Sequence, residues 1–176
     1  MKAVFLDRDG TVTVGTPMYE RVDSLEKIKL LPNTLEALTE LAKLDYLVFF
    51  VTNQAGIAEG RITLEQFDVI NAKVLELIEP SGITISKTYL CPHGDNSACD
   101  CRKPKPKLLF DAAKEFAIDL SQSWMIGDRP SDVMAAVNAG ARGILVKTGD
   151  PIVESPEATF TAPSLLEAVQ FIANEH

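Results

Sequence analysis

The chain has 176 residues, of which 46% are hydrophobic and 24% are charged, as in ordinary globular proteins. This length fits a single domain over residues 1–176 that buries its core without disulfides. The net charge of −8 disfavours a nucleic-acid partner, which would require a basic surface, but it permits a small anionic substrate. No apolar run reaches the roughly 20 residues of a membrane span, and an acidic residue already stands at position 7. We therefore expect a cytoplasmic protein without a signal peptide. We also expect it to be a monomer.

Five short apolar runs along the chain are typical of buried parallel strands. In chain order they cover residues 4–6, 46–51, 83–90, 124–126 and 143–146. Helical patterns separate or follow them over residues 32–44, 63–77, 107–116, 131–140 and from 164 onward, and residues 148–163 are predicted to be irregular. Strands that alternate with helices predict an α/β fold, a doubly wound, Rossmann-like parallel sheet with helices on both faces.

Some of these helices have recognisable ends. The Thr63-x-x-Gln66 spacing is that of a capping box, and Phe67 then begins an apolar helix face. Ser131 is expected to cap a later helix that stops at Gly140.

Acidic and phosphate-binding side chains follow several of the predicted strands, where ligands bind in open parallel sheets. Asp7 and Asp9 are one residue apart, so their carboxylates repel each other and attract a hard cation. Asp128, from another strand, would complete an oxygen-rich Mg²⁺ site. Thr52 and Lys103 would complement phosphoryl oxygens, while one aspartate serves as nucleophile and the other carries protons.

All three cysteines and one histidine stand in the polar stretch CPHGDNSACDCRKPKP, residues 91–106. Cys91, His93, Cys99 and Cys101 would supply the three thiolates and one imidazole of a tetrahedral zinc shell. Clustered cysteines in a reducing compartment indicate a metal rather than a disulfide, and the polar loop disfavours an apolar cluster of reduced cysteines. A closed shell leaves no position for water, so we expect a structural zinc that fixes the direction of Lys103.

Four segments, FLDRDGT, VTNQ, CRKP and IGDRPSD, resemble in this order the four motifs of the haloacid dehalogenase (HAD) superfamily of phosphohydrolases. The resemblance implies that Asp7 is the nucleophile and Asp9 the general acid and base. It implies Mg²⁺ binding by Asp7, the backbone carbonyl of Asp9 and Asp128, with Asp132 supporting the metal shell. We also expect the pKa of Asp9 to be raised by its neighbour and by burial, as an acid near neutral pH requires.

The same resemblance implies that Thr52 and Lys103 bind the phosphoryl group. We add Asn53 and Arg102 as candidate substrate contacts. A phosphate that is not being transferred would need a second cation, for which Arg61 and Arg102 are the candidates.

The cysteine-rich loop is similar to the zinc loop of one branch of the superfamily. That branch contains the heptose 1,7-bisphosphate phosphatases and the histidinol-phosphate phosphatases, and its members lack a large cap domain. TNQAGIAEGRITLEQF, residues 52–67, resembles the heptose branch, which favours a D-glycero-D-manno-heptose 1,7-bisphosphate 7-phosphatase. Glu59, where that branch commonly has arginine, Lys107-Leu108 and the short zinc loop favour histidinol phosphate, which stays the alternative substrate.

A phospho-signalling receiver domain is the alternative from another class, since it also places an acidic Mg²⁺ pocket, a threonine and a lysine on a doubly wound sheet. Its acceptor aspartate would stand alone at a mid-chain strand end. Here the DxD pair follows the first strand, and Asp9 offers a base for hydrolysis. The acidity of the chain and its lone metal cluster disfavour a third possibility, a zinc-ribbon nucleic-acid module.

Overall fold

The structure, a computed structural model, describes residues 1–15, 25–149 and 151–175. Within these residues one sheet contains the strands β1 (Ala3–Leu6), β2 (Leu47–Asn53), β3 (Ile85–Cys91), β4 (Trp124–Gly127), β5 (Arg142–Val146) and β6 (Phe160–Ala162). Their order is β3-β2-β1-β4-β5-β6, and every pair is parallel. The chain winds outward from β1 to one edge and then from β4 to the other, which confirms the predicted doubly wound sheet.

The prediction that residues 148–163 are irregular is wrong for the last strand. Phe160–Ala162 forms β6, which pairs with Ile144–Val146 at the edge of the sheet. A strand of three residues is too short to show a recognisable alternation of apolar and polar residues in the sequence. Pairing with β5, rather than local propensity, defines β6.

Helices lie on both faces of the sheet. They are α1 (Thr34–Leu41), α2 (Ala55–Ala58), α3 (Leu64–Ile78), α4 (Lys107–Phe116), α5 (Pro130–Ala139) and α6 (Leu165–Asn174). The single turn α2 lies in the segment after β2, where no helix is predicted. None of the helices in the described ranges is long and apolar enough to span a membrane.

The helix ends show which local signals dominate. The Thr63 hydroxyl accepts from the Gln66 amide at 3.2 Å, and the Gln66 side chain accepts from the Thr63 amide at 2.8 Å, which confirms the capping box. Gly140 ends α5 at φ +77°, as predicted. Ser131 as the cap of that helix is wrong. Pro130 is already in the first turn and Arg129 precedes it as N-cap, because the fixed φ of proline suits the first helical position.

Side chains of the strands alternate between two apolar cores. Val4 and Leu6 pack with α1 and α6 on one face, while Ala3 and Phe5 pack with α4 and α5 on the other. All four side chains are fully buried. Strand β1 is therefore packed on both faces, and this packing restricts the position of Asp7, which follows it.

Candidate active site and cysteine–histidine cluster

The acidic residues meet where the strand order reverses, at the carboxyl ends of β1 and β4. Asp7 directly follows β1 and Asp128 directly follows β4, and these two strands are neighbours in the sheet. Asp132 comes from the first turn of α5. Oxygen atoms of the three carboxylates lie within 4.8 Å of one another, and all three residues are buried. A crevice of this kind is the usual ligand site of an open α/β sheet.

Lys103 is buried among these carboxylates. Its Nζ donates to Asp7 Oδ1 at 2.6 Å and to the Val51 carbonyl at 2.6 Å, and it forms an ion pair with Asp132 Oδ1 at 2.6 Å. Burial alone would lower the pKa of Lys103, but the charges of Asp132 and Asp7 outweigh burial and raise that pKa. The lysine is therefore held as a cation beside Asp7 Oδ1.

The donor set fits a divalent cation. Burial raises the pKa of Asp7 well above its ordinary value, and Asp132 and Asp128 raise it further against the opposing charge of Lys103. Burial and Asp132 likewise raise the pKa of Asp128. Three carboxylates thus share a small volume with one buried ammonium, and this excess of negative charge is what a hard cation such as Mg²⁺ neutralises.

Small residues let the backbone approach Asp128 closely. Gly10 adopts φ +95°, and a Cβ there would lie 2.5 Å from Asp128 Oδ2. Gly149 packs against the same carboxylate, and a Cβ there would also collide with it. The Thr11 hydroxyl donates to Asp128 Oδ1 at 3.4 Å. The carboxylate is consequently confined between two backbone segments.

Asp9 is held by donors on both of its oxygens. Arg8 donates from Nε to Oδ1 at 3.2 Å and from Nη2 to Oδ2 at 2.9 Å. Thr13 donates to Oδ1 at 3.1 Å, and Gln54 donates to Oδ2 at 2.6 Å. Burial raises the pKa of Asp9, but the Arg8 charge and these hydrogen bonds outweigh it, so the pKa is lowered. The expectation of a raised pKa is wrong in this arrangement, because Arg8 folds back onto its neighbour.

Thr52 and Asn53 lie at the end of β2, beside β1. The buried Thr52 hydroxyl accepts from Gln54 Nε2 at 3.0 Å, so the same amide contacts both Thr52 and Asp9. Asn53 pairs with the backbone of Lys103: its Oδ1 accepts from the Lys103 amide at 3.1 Å, and its Nδ2 donates to the Lys103 carbonyl at 3.2 Å. Both polar groups of the Asn53 side chain thus bind the backbone of Lys103 and hold it in place.

The four predicted zinc ligands converge. Cys91 Sγ is 3.6 Å from His93 Nδ1, 3.9 Å from Cys99 Sγ and 3.0 Å from Cys101 Sγ, and His93 Nδ1 is 3.3 Å from Cys101 Sγ. With zinc bonds of about 2.3 Å to sulfur and about 2.0 Å to nitrogen, the edges of a tetrahedron come to about 3.8 Å and about 3.5 Å. The three cysteines, all within the described residues, form no disulfide. The donor types fit a tetrahedral metal, and so do three of the four distances, while Cys91 Sγ and Cys101 Sγ lie closer together than such an edge.

The thiols of the cluster differ in their tendency to ionise. Burial raises the pKa of Cys91, and burial together with Cys91 raises the pKa of Cys101 to about 12. Burial also opposes ionisation of Cys99, but backbone donors from Arg102 and Cys101 outweigh it and lower that pKa to about 6. One thiolate is therefore available at neutral pH, and a metal ion would displace the protons of the other two.

The cluster is joined to the acidic site through the sheet. Cys91 ends β3 and pairs in register with Asn53 at the end of β2. Cys101 stands two residues before Lys103, whose backbone Asn53 holds. The loop that carries the lysine is thus fixed at the sulfur cluster and again at Asn53.

Two arginines from the sequence prediction lie away from the carboxylates. Arg102 donates from Nη1 to the His93 carbonyl at 3.1 Å and forms an ion pair with Asp95, so it braces the cysteine loop. Arg61 forms an ion pair with Glu59 in the segment after β2. Neither contacts Asp7 in this structure. Both stand on loops that flank the site, on the side of β2 and β3.

The contacts of Arg8, Thr13 and Gln54 with Asp9 were not predicted from the sequence. The segment FLDRDGT does contain a signal for one of them, since Arg8 separates two acidic residues that both need a cation nearby. Gln54 directly follows the predicted Thr52-Asn53 pair, but its reach toward Asp9 depends on the pairing of β1 with β2.

Comparison with known proteins gives consistent results. The HAD-hydrolase-like family profile matches residues 100–168. The D-glycero-beta-D-manno-heptose-1,7-bisphosphate 7-phosphatase of Escherichia coli (strain K12) is 36% identical over 176 residues, covering 95% of this chain and 89% of that protein. The protein of the same name from Pasteurella multocida (strain Pm70) is 35% identical, and the match covers 97% and 96% of the two chains.

A solved structure agrees over the full length. The D,D-heptose 1.7-bisphosphate phosphatase from B. bronchiseptica, complexed with magnesium and phosphate, is 31% identical with a TM-score of 0.90 and covers 100% of both chains. Identity above 30% over nearly the whole of these proteins, together with the sheet order and the acidic site, leads to one assignment. The chain belongs to the HAD-like hydrolase family and is a phosphatase.

Proposed function

We propose that the protein is a Mg²⁺-dependent phosphomonoesterase that removes the 7-phosphate of D-glycero-D-manno-heptose 1,7-bisphosphate through a phospho-aspartate at Asp7. The observation that carries the proposal is the buried Lys103, whose Nζ lies 2.6 Å from Asp7 Oδ1 at the strand-order reversal. A cation fixed beside a carboxylate suits the attack of that carboxylate on a phosphoryl group. The named relatives and the magnesium and phosphate in the B. bronchiseptica structure support this choice of chemistry.

In the proposed reaction an Asp7 oxygen forms a bond to phosphorus as the bond from phosphorus to the sugar oxygen breaks. Asp9 gives a proton to that departing oxygen and then takes one from the water that releases inorganic phosphate from Asp7. Because Arg8 lowers the pKa of Asp9 in this structure, the acid step requires that the negative charge of the bound phosphate raise that pKa again. Lys103 and Thr52 bind the phosphoryl oxygens. Asp7, the backbone carbonyl of Asp9 and Asp128 would hold Mg²⁺, which when bound neutralises charge on the phosphoryl group.

The role of Asp9 leads to a prediction about leaving groups. Asp9→Asn should lower kcat/KM for the sugar phosphate by about 10²–10⁴, because a sugar oxygen leaves poorly without a proton. For an activated aryl ester such as p-nitrophenyl phosphate, kcat/KM should fall much less, because its leaving group needs no proton. The two kcat/KM values measured on one preparation check this. Equal losses on both substrates would show that Asp9 is not the acid.

The second phosphate of the substrate needs its own cation. Arg61 and Arg102 are the candidates, each now paired with an acid on a loop beside the site. We propose that one of them exchanges its carboxylate partner for the substrate phosphate. Histidinol phosphate, the other substrate considered, would instead place an ammonium near a carboxylate, for which Glu59 is available.

The substrate assignment is checked by kcat/KM for the heptose bisphosphate and for histidinol phosphate on one enzyme preparation. We expect a preference of at least about tenfold, equivalent to about 1.4 kcal/mol of transition-state binding, for the heptose bisphosphate. The same preference for histidinol phosphate would overturn the substrate and leave the phosphatase chemistry in place.

We propose that the cysteine–histidine cluster binds one structural zinc. The support is the closed donor set and its connection to Lys103 through Asn53. No position of the tetrahedron is left for water, so the ion would hold the loop and take no part in the reaction.

Two treatments should distinguish the metals. EDTA followed by Mg²⁺ should restore activity while one equivalent of zinc is retained. Cys99→Ala should lower zinc content, thermal stability and activity together, because a structural metal contributes folding free energy. Asn96→Ala, at an exposed position in the same loop, is the control and should change none of the three. Normal zinc content and full activity in Cys99→Ala would contradict the structural role.

We further propose that residues 1–176 act as one domain, since both apolar cores share the same sheet. The monomeric state and the cytoplasmic location stay predictions from the sequence.

A further inference from the structure

Arg8 is a buried arginine directly beside the acid and base of the proposed reaction. Its side chain is 3% exposed, whereas the Asp9 side chain is 29% exposed. Two different nitrogens of the guanidinium reach the two different oxygens of Asp9. A planar two-point contact fixes both the position and the rotation of a carboxylate, which a single-point contact does not.

The guanidinium is itself held by a residue from another element. Its central carbon lies 4.9 Å from the centre of the Phe67 ring, and Phe67 is 3% exposed in the first turns of α3. The third nitrogen, Nη1, is buried and has no hydrogen-bond partner among the described residues. Leaving a buried nitrogen without a hydrogen bond carries a free-energy cost, which the ion pair with Asp9 and the contact with Phe67 oppose.

We propose that Arg8 is a positioning residue that aims the Asp9 carboxylate at the leaving oxygen of the substrate, with Phe67 holding the guanidinium in place. The inference rests on the proposed role of Asp9. Thr13 and Gln54 also donate to Asp9, one to each oxygen, but they are two separate side chains from different segments, whereas Arg8 spans both oxygens with one rigid planar group. The two-point contact of Arg8 therefore constrains the plane of the carboxylate through a single group.

The test compares Arg8→Lys with wild type on two substrates, the heptose bisphosphate and p-nitrophenyl phosphate. Lysine keeps the positive charge and loses the two-point geometry. We expect kcat/KM for the heptose bisphosphate to fall about tenfold more than for p-nitrophenyl phosphate, because misplacing a catalytic group by less than an ångström is already costly. Phe67→Leu, which keeps Arg8 but removes the ring, should shift the ratio of the two values in the same direction by a smaller factor.

A double-variant comparison separates positioning from mere structural support. If Arg8 acts through Asp9, Arg8→Lys should not change the ratio further when Asp9 is already asparagine. Arg142→Lys is the matched control. Arg142 also lies over a ring, 3.6 Å from the centre of Trp124, but it stands at the opposite ends of the strands and should leave the ratio unchanged.

The outcomes are distinguishable. An equal loss on both substrates in Arg8→Lys, or a ratio shifted toward the heptose bisphosphate, would overturn the positioning role. If Arg8→Lys does not fold, Phe67→Leu decides alone, and an unchanged ratio there overturns the proposal. If Asp9→Asn itself shows no selectivity between the substrates, the proposed function fails at Asp9 before Arg8 is considered.

Discussion

Asp7→Asn is expected to lower kcat by roughly three orders of magnitude or more, the range for enzymes that lose a nucleophile. An amide oxygen does not attack phosphorus as a carboxylate does, while the Lys103 and Asp128 side chains that surround it remain. Steady-state kinetics at saturating Mg²⁺ and substrate gives the number.

The control for this variant is Asp68→Asn, at an exposed position of α3, which should keep wild-type turnover. Equal zinc content and an unchanged circular dichroism spectrum would show that Asp7→Asn is folded. Turnover within about tenfold of wild type in a folded Asp7→Asn would refute the nucleophile assignment.

Lys103→Met should lower both activity and stability strongly, because it removes a buried cation from two carboxylates at once. Loss of the charge that neutralises the phosphoryl oxygens should lower kcat by about 10²–10³. Asp7 and Asp132 would keep buried charges without their partner, and breaking a buried pair in this way costs about 3–5 kcal/mol of stability. Denaturant unfolding and initial rates on the same preparation measure both quantities.

Two further variants separate the effects of Lys103 on stability and on activity. Adding Asp132→Asn to Lys103→Met removes one of the unpaired charges and should recover part of the stability without recovering activity. Lys107→Met breaks a half-exposed pair with Asp111 and should cost less than about 1 kcal/mol. If the double variant regains activity as well, Lys103 does not act on the phosphoryl group.

The fold and the convergence of the site were predictable because they depend on local patterns and on one topological rule. Asp7, Thr52 and Asp128 stand just after apolar runs in the sequence. Parallel strands bring their carboxyl ends together, so these residues were expected to converge. The three cysteines and one histidine all stand within residues 91–101, so short loops bring them together and their clustering was informative without coordinates. The cap at Thr63 was predictable for the same reason, since both partners lie within one turn.

The remaining features depend on contacts between distant residues. Asn53 holds the backbone of Lys103 across 50 positions, and Lys103 reaches Asp7 across 96. The contacts of Arg102 with the His93 carbonyl and Asp95 on the cysteine loop were likewise not predictable from a local pattern. The lowered pKa of Asp9 follows from the side-chain direction of Arg8, which no local pattern specifies. Rotamers and long-range pairs of this kind are set by packing.

The most direct test of the central claim is rapid-quench analysis of a single turnover, with the phosphorylated peptide identified by mass spectrometry. A phosphoryl group should appear on Asp7 and disappear within seconds, because Asp9 stands ready to activate water. Under the same conditions Asp7→Asn should carry none. Label at any other residue, or a phospho-Asp7 that persists for minutes as in a signalling receiver, would contradict the account.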